Sequence, residues 1–175
     1  MKKIVMLLAA ALISVSAFSQ VRFGAKVGLN LSHFWGKDAL HGIKAGAQFG
    51  GLMDYRINHK FGIAPEFVFS MQGASEDGVT ANVNYINIPI MLKYYVMPAL
   101  SVDFGPQLGF NVYSKINGNK ATDTNTVDFG LGLGATYGIT PNIFVQARYN
   151  MGFTKVYKYG SDKNGNIQFA VGYMF

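Results

Sequence analysis

Apolar and polar residues alternate one by one in the C-terminal stretch, Gly165 to Phe175. The large apolar residues of this stretch occupy every second position: Ile167, Phe169, Val171, Tyr173 and Phe175. A period of two predicts a β-strand with one apolar face. The length suits a tilted strand that crosses a membrane, which needs about 9–11 residues. An open strand edge cannot be satisfied in lipid, so the strand must pair on both sides, which predicts a closed barrel.

The same alternation recurs along the chain and predicts eight strands. They span residues 22–31, 42–56, 61–71, 83–96, 100–114, 127–139, 143–154 and 165–175. Long polar connections alternate with short turns, as in bacterial membrane barrels, and the even strand number places both termini on the periplasmic side. Pro65 cannot donate to the ladder, so we expect a bulge or a missing bond there. The predicted fold class is an all-β, eight-stranded antiparallel transmembrane up-and-down β-barrel.

The alternation does not by itself say which face points inward. A soluble barrel or sandwich would turn its large apolar residues in. We predict the opposite, because the second face carries Lys26, Lys93 and Arg148 with the glycine run at 130–134, which suits a cramped polar interior with space for a long neighbour. Aromatic residues also gather near strand ends, as interfacial girdles do: Phe23, Tyr55, Phe61, Tyr94, Tyr137, Tyr173 and Phe175.

A predicted export signal, in a chain without cysteine, is the third reason to expect that the apolar face points outward. Lys2 and Lys3 precede an apolar segment, residues 4–17, that is shorter than the ~20 residues of a membrane span. Small residues then stand before a cleavage point ahead of Gln20. A membrane-anchoring helix is the alternative. We expect a secretory signal peptide over residues 1–19 and one barrel domain over residues 20–175.

Composition excludes several classes of function. The 175 residues include 21 glycines and no cysteine, which rules out disulfides, thiolate metal sites and cysteine nucleophiles. The formal charge is +6 and falls to +4 if Lys2 and Lys3 leave with the signal. Because the positive residues are scattered over strands and loops, nucleic acid is not an expected partner.

The interior of an eight-stranded barrel is just wide enough for side chains. A polar network is predicted there from Lys26, Lys44, Asp54, Glu66, Lys93, Asp103 and Arg148, with Arg22, Arg56 and Asp128 on the same face. Such charges must pair, because unpaired burial costs several kcal/mol. A symmetric hairpin around Pro98 puts Lys93 opposite Asp103. The favoured interpretation is an electrostatic plug that fills the lumen, and a proton or ion path is the alternative.

Catalysis would need a nucleophile, a base and an orienting group together. His33 and His41 share the predicted first outer loop with Ser32, and His59 lies in a short turn, none in a recognisable motif. A lipid-modifying Ser-His enzyme and a metal site from His33, His41 and Asp38 stay open as alternatives. We expect no catalytic, metal or cofactor site.

The outer loops carry candidate binding residues. Phe34 and Trp35 form an exposed aromatic pair in the predicted first loop, which either grips a partner or anchors the barrel at the interface. In the last loop Lys155, Lys158 and Lys163 are predicted to contact lipopolysaccharide phosphates. Outer-membrane lipids and lipopolysaccharide are therefore the expected partners, and no external ligand is indicated.

Two segments resemble a known family. Residues 24–31, Gly-Ala-Lys-Val-Gly-Leu-Asn-Leu, and 85–94, Tyr-Ile-Asn-Ile-Pro-Ile-Met-Leu-Lys-Tyr, resemble the first and fourth strands of PorT-like, porin-family outer-membrane β-barrel proteins. The resemblance covers nearly the whole mature chain, and the architecture is similar to small eight-stranded barrels such as OmpX. It implies location in the outer membrane of a Gram-negative-type bacterium, while the word porin is no evidence of a pore.

The chain ending resembles the signal read by the barrel-assembly machinery, which the resemblance makes a partner during insertion. Gln168, Tyr173 and Phe175 match that signal, and Ala170 stands where glycine is usual. The sequence thus predicts a non-enzymatic outer-membrane barrel with a side-chain-plugged lumen and a structural or surface-interaction role through four outer loops. A narrow porin-like channel for small solutes and a lipid-modifying enzyme are the alternatives.

Overall fold

The computed structural model describes residues 20–35, 42–76, 79–116, 119–120, 125–155 and 163–175, and these form β-structure. The strands are β1 (Val21–Trp35), β2 (Lys44–Arg56), β3 (Phe61–Glu76), β4 (Val79–Met97), β5 (Leu100–Ile116), β6 (Asn119–Lys120), β7 (Val127–Gly138), β8 (Ile143–Lys155) and β9 (Lys163–Met174). Within this described part, no helix has the length and apolar character needed to cross a bilayer.

The long strands pair in an antiparallel ring. Their order is β4-β3-β2-β1-β9-β8-β7-β5, and β4 pairs with β5 to close it. The first and last long strands meet from Gly24 opposite Met174 to Trp35 opposite Lys163. The two-residue β6 pairs antiparallel with the end of β5 and with no other described strand. The predicted closed eight-stranded barrel is therefore confirmed, and closure removes the open edges that lipid forbids.

The two ends of the barrel differ in their connections. We call the end with the short turns 57–60, 98–99 and 139–142 the turn end, and the opposite end the loop end. Side chains close two of the turns: Asn58 Oδ1 accepts from the Phe61 backbone N–H at 2.8 Å, and Thr140 Oγ1 accepts from the Ile143 N–H at 2.9 Å. Both Gln20 and Phe175 lie at the turn end, since their backbones bond to Arg56 and Phe23.

The apolar rows face outward, as predicted. Phe169 is 51% exposed and Phe129 46%, whereas Arg148 is 3% and Lys93 7% exposed. The seven aromatic residues predicted near strand ends all belong to the turn end, where Phe61 and Tyr94 contact with ring centroids 5.4 Å apart. This inverts the arrangement of a soluble barrel and gives the outer wall a surface suited to acyl chains.

Several loop predictions were wrong because the strands run further than the local pattern suggested. β1 continues through Trp35, and β3 and β4 stay paired as far as Glu76 opposite Val79, so most of the predicted loop at 72–82 is hairpin. An inward apolar cluster supports these extensions: Phe34, Ala74, Ala81, Val83 and Tyr85. Gly73 has a φ of 145° there, a conformation that favours glycine.

Pro65 leaves a missing stretch in the ladder and no bulge. The β2–β3 pairs run to Leu52 opposite Glu66 and resume, in the same register, at Tyr55 opposite Ile63. The register shifts of this sheet region lie instead between β4 and β5. The strand tolerates the lost donor because the pairs on either side hold the register.

Candidate functional site

The centre of the lumen holds a buried ion triad. Glu66 of β3 accepts from Arg148 of β8 through two bonds of 2.9 and 2.7 Å, and from Lys26 Nζ of β1 at 2.6 Å. The three residues are 2 to 4% exposed. A bidentate guanidinium–carboxylate pair is the strongest geometry available to such groups. The triad therefore ties strands on different sides of the lumen together.

A glycine of β7 makes room for the longest member of the triad. Gly134 lies opposite Arg148, and a Cβ at Gly134 would stand 2.9 Å from the Arg148 Cα. At Gly132 a Cβ would stand 2.7 Å from Asn150 Oδ1 and would make only an ordinary contact with Arg148. The expectation that the glycine run leaves space for Arg148 is therefore confirmed at Gly134.

A chain of hydrogen bonds extends the triad across the barrel. Lys26 Nζ donates to Gln146 Oε1 at 2.7 Å, and Gln146 Nε2 donates to Thr136 Oγ1 at 3.1 Å. The Thr136 hydroxyl donates to Asp103 Oδ2, and Ser101 Oγ donates to Asp103 Oδ1 at 2.6 Å. Asp103 is thus held by two hydroxyls, and the network runs from β3 to β5.

Lys93 lies opposite Asp103 as predicted, but its ion-pair partner is Asp54. The Lys93 Nζ is 2.5 Å from Asp54 Oδ2, and the Tyr95 hydroxyl donates to Asp54 Oδ1 at 3.1 Å. The side chain can reach β2 because its β3 neighbour, Gly62, presents no side chain between them. The buried charges of the described lumen comprise three cations and three anions, so they balance.

The remaining predicted lumen charges lie towards the two ends. Lys44, near the loop end, donates to Asn82 and to the Gln72 carbonyl. At the turn end the guanidinium groups of Arg22 and Arg56 are exposed and donate to the carbonyls of Pro141 and Pro98. Asp128 is half-buried on β7 near the loop end. None of these four groups belongs to the central network.

Neutral amides are the commonest polar residues in the half of the lumen between the triad and the loop end. Asn30 Nδ2 donates to Ser70 Oγ at 2.8 Å. Both polar side-chain atoms of Gln48, Asn150 and Asn166 lack a hydrogen-bond partner among the described residues. Gln48 and Asn166 are no more than 2% exposed. This half therefore differs from the half towards the turn end, where buried carboxylates are held by cations or hydroxyls.

A cavity of about 550 Å³ occupies the turn end of the lumen. Exposed residues Gln20 and Pro141 line its mouth, and Glu66 and Asp103 of the network line it deeper inside. Water from the turn end can thus approach the network, and the network stands between this cavity and the amide half.

The candidates at the loop end are arranged differently from the prediction. Phe34 is not exposed: it belongs to β1, points into the barrel and is 1% exposed. Trp35 lies on the outer wall, where its Nε1 donates to the Asn164 carbonyl at 3.2 Å and its ring lies 4.7 Å from Lys163 Nζ. Lys155 lies opposite Lys163. Lys158 lies outside the described residues, as does the predicted signal peptide.

The histidine predictions change with the longer β1. Ser32 points inward, where its hydroxyl donates to the Lys44 carbonyl and accepts from the Gly73 N–H, whereas His33 stacks on Tyr149 on the outer wall. Neighbours on opposite faces cannot form a Ser-His pair, so that arrangement is excluded. His41 and Asp38 lie outside the described residues. Among the described residues, no three metal-ligating side chains come together.

The assembly-signal residues lie on both faces of β9 and, for Phe175, directly after it. Gln168 is 4% exposed in the lumen, and Tyr173 and Phe175 are 50% and 74% exposed at the turn end, with ring centroids 5.8 Å apart. The sequence did not assign Gln146, Thr136 and Ser101 to the network. The register of β7 with its two neighbours would have predicted them, since Thr136 lies opposite Ser101 of β5 on one side and Gln146 of β8 on the other.

A closed antiparallel barrel with an apolar wall and a charge-balanced interior defines the class of membrane-spanning β-barrels. The chain belongs to the outer membrane protein beta-barrel domain family, whose model matches residues 5–175. No curated protein matches the chain in sequence.

Solved structures share the fold at low identity. The attachment invasion locus protein Ail of Yersinia pestis, in complex with the heparin analogue sucrose octasulfate, is 18% identical with a TM-score of 0.60, covering 89% of this chain and 99% of its own. Neisserial surface protein A is 16% identical with a TM-score of 0.65, covering 87% and 97%. These similarities establish the barrel architecture, and at such identity nothing more.

Proposed function

We propose that the protein is a non-enzymatic outer-membrane barrel whose lumen is plugged by side chains, with a structural or surface-interaction role carried by its loop end. The observation that carries the proposal is the triad of Lys26, Glu66 and Arg148, which crosses the lumen with 2.6–2.9 Å bonds. Since eight strands enclose little more space than side chains fill, this crossing supports a lumen without an open bore.

A planar-bilayer recording of the purified barrel tests the plug. The proposal predicts insertion without stable unitary conductance, because ions would have to displace a desolvated ion triad. Folding is scored separately, from the SDS-resistant band that shifts on heating in gels of the same proteoliposomes. Stable, uniform conductance steps would overturn the plug.

A narrow channel for small solutes is the second candidate function. Two observations favour it: the turn-end cavity of about 550 Å³ and, on the other side of the triad, three amides that have no hydrogen-bond partner among the described residues, Gln48, Asn150 and Asn166. Polar, roomy sites of this kind hold water. The same recording distinguishes the two candidates, since the channel predicts steps that scale with salt concentration.

The lipid-modifying enzyme remains a weaker proposal, and it has its own test. The mass profile of lipid A from a deletion strain should match that of the parent strain if the protein is non-enzymatic. A lost or gained acyl, phosphate or sugar group, restored by the gene on a plasmid, would favour the enzyme instead.

The expected partners follow from the loop end and from the chain ending. Lys155 and Lys163 support contact with lipopolysaccharide phosphates, to which Lys158 would add. Ail has been crystallised with a polyanion, so the fold is compatible with anion binding. Gln168, Tyr173 and Phe175 would be read by the barrel-assembly machinery. Assignment to the PorT-like subtype rests on residues 24–31 and 85–94 alone.

A further inference from the structure

Over the described residues, β8 and β9 are among the short strands of the barrel wall. These strands have 13 and 12 residues, whereas β4 and β5 have 19 and 17. At ~3.3 Å per residue and a tilt of ~45°, 12–13 residues span roughly 28–30 Å. That is about the thickness of the hydrocarbon core of a bilayer. Lys155 and Lys163, the described residues of β8 and β9 furthest from the turn end, therefore stand at the level of the lipid headgroups.

Two lysines face each other at this level. Lys155 of β8 and Lys163 of β9 are paired directly across the strands, and residues so paired share one face. Like charges in this position repel each other. The ion pairs among the described residues all lie in the lumen and include neither lysine. An anion between the two lysines would turn the repulsion into attraction.

An aromatic frame flanks the lysine pair. Trp35 of β1 pairs with Lys163, is fixed by its hydrogen bond to the Asn164 carbonyl, and lies under the Lys163 ammonium. Just below, the His33 ring crosses β9 to stack on Tyr149, at 6.4 Å between centroids. It can do so because Gly165 lies beneath it, where a Cβ would stand 2.7 Å from the ring. Amphipathic rings of this kind are typical of the headgroup level.

A shallow apolar groove of about 890 Å³ continues down the same wall. The groove is formed where small side chains replace large ones on the outer wall, at Ala47, Ala135 and Ala147. Leu29 and Phe169 belong to the same row of cross-strand neighbours. The row lies six residues along β9 from Lys163, roughly 14 Å deeper in the bilayer. An acyl chain anchored at the lysines would reach it within one leaflet, about half of the ~30 Å core.

We infer that the outer wall of β1, β9 and β8 is a binding site for a phosphorylated glycolipid of the outer leaflet, with the phosphate between Lys155 and Lys163 and an acyl chain in the alanine-floored groove. The inference rests on the proposed contact of the loop end with lipopolysaccharide and gives it a location. A phosphate is favoured because it offers up to two negative charges to two point cations. The loop end of such barrels faces the outer leaflet.

Native mass spectrometry of the full barrel with bisphosphorylated lipid A tests the site. Saturable binding is expected, and the paired variant Lys155→Gln with Lys163→Gln should weaken it roughly 10- to 30-fold, the loss expected for two lysines beside an anionic headgroup. The matched control is Lys60→Gln with Lys115→Gln, which removes equal charge elsewhere and should change binding less than about threefold. Equal losses for the two pairs would overturn the site.

Two further arms separate headgroup from acyl chain. Ala147→Phe fills the groove and should weaken binding several-fold, while Ala25→Phe, on the same outer face but outside the groove, should not. Dephosphorylated lipid A should bind no more tightly to the wild type than to the lysine variant, and millimolar inorganic phosphate should not compete. Equal affinity of the wild type for both lipid A forms would overturn the phosphate site. Loss of the plug would instead appear as conductance, so the two failures are distinguishable.

Discussion

The two halves of the lumen satisfy their polar groups in different ways. Towards the turn end, the carboxylates of Glu66 and Asp54 are ion-paired and Asp103 accepts from two hydroxyls. Towards the loop end most of the polar inward residues are neutral amides, and Asn150 and Asn166 find no side-chain partners in the described part of the chain. Ion pairs thus occupy one half and loosely satisfied amides the other.

The difference follows from the cost of burial. An unpaired charge is far more costly to bury than an unpaired amide. Buried charges therefore need ion-pair or hydrogen-bond partners within the protein, whereas amides can hydrogen-bond to water. A triad with fixed partners cannot rearrange without leaving a charge exposed to a low-dielectric interior. We therefore place the closure of the lumen in the turn-side half and expect the loop-side half to tolerate substitution.

Glu66→Gln should have the largest effect. It leaves the cations of Lys26 and Arg148 buried without their carboxylate, which costs about 3–5 kcal/mol of the free energy of unfolding. Urea unfolding in phosphatidylcholine vesicles measures this loss. The matched control replaces the whole triad, Lys26→Met with Glu66→Leu and Arg148→Met, and should be neutral or more stable.

If Glu66→Gln and the triad replacement lower the free energy of unfolding equally, the loss comes from altered packing and not from unpaired charges. That result would contradict the difference between the two halves. If neither loses stability, the triad is not buried in the membrane-embedded protein.

Lys93→Met should cost less than Glu66→Gln. This substitution leaves the Asp54 carboxylate without its ion-pair partner. Asp54 lines the turn-end cavity and its side chain is 12% exposed, so water can solvate the carboxylate in part. We expect a loss of about 1–3 kcal/mol, and recovery of most of it in the double variant with Asp54→Asn. A loss as large as that of Glu66→Gln would show that the cavity is dry.

Asn150→Leu should have the smallest effect. Because neither polar atom of Asn150 bonds to another described residue, an isosteric apolar side chain removes no protein hydrogen bond. A change within about 1 kcal/mol of the wild type is expected by the same unfolding measurement. A loss of 3 kcal/mol or more, on the order of a broken buried network, would erase the distinction between the halves.

The alternation of single residues was enough to predict strands and closure, because a period of two leaves only two choices for each side chain. The direction of the faces needed a second signal, the charged residues and glycines that share one face. Neither signal could predict partners at a distance. Lys93 lies opposite Asp103 as the hairpin required, yet bonds to Asp54 through the gap at Gly62. Phe34 was placed in a loop because its burial depends on Ala74 and Tyr85, which belong to another hairpin.

The central claim, that the triad separates the two halves, can be tested by thiol accessibility in a chain that has no cysteine of its own. Ser101→Cys places a thiol at the turn-end cavity, and Ser70→Cys places one in the amide half. A small, charged, membrane-impermeant thiol reagent is added from the turn-end side of oriented vesicles. The account predicts that only the thiol introduced by Ser101→Cys reacts promptly, and equal reaction of both thiols would contradict it.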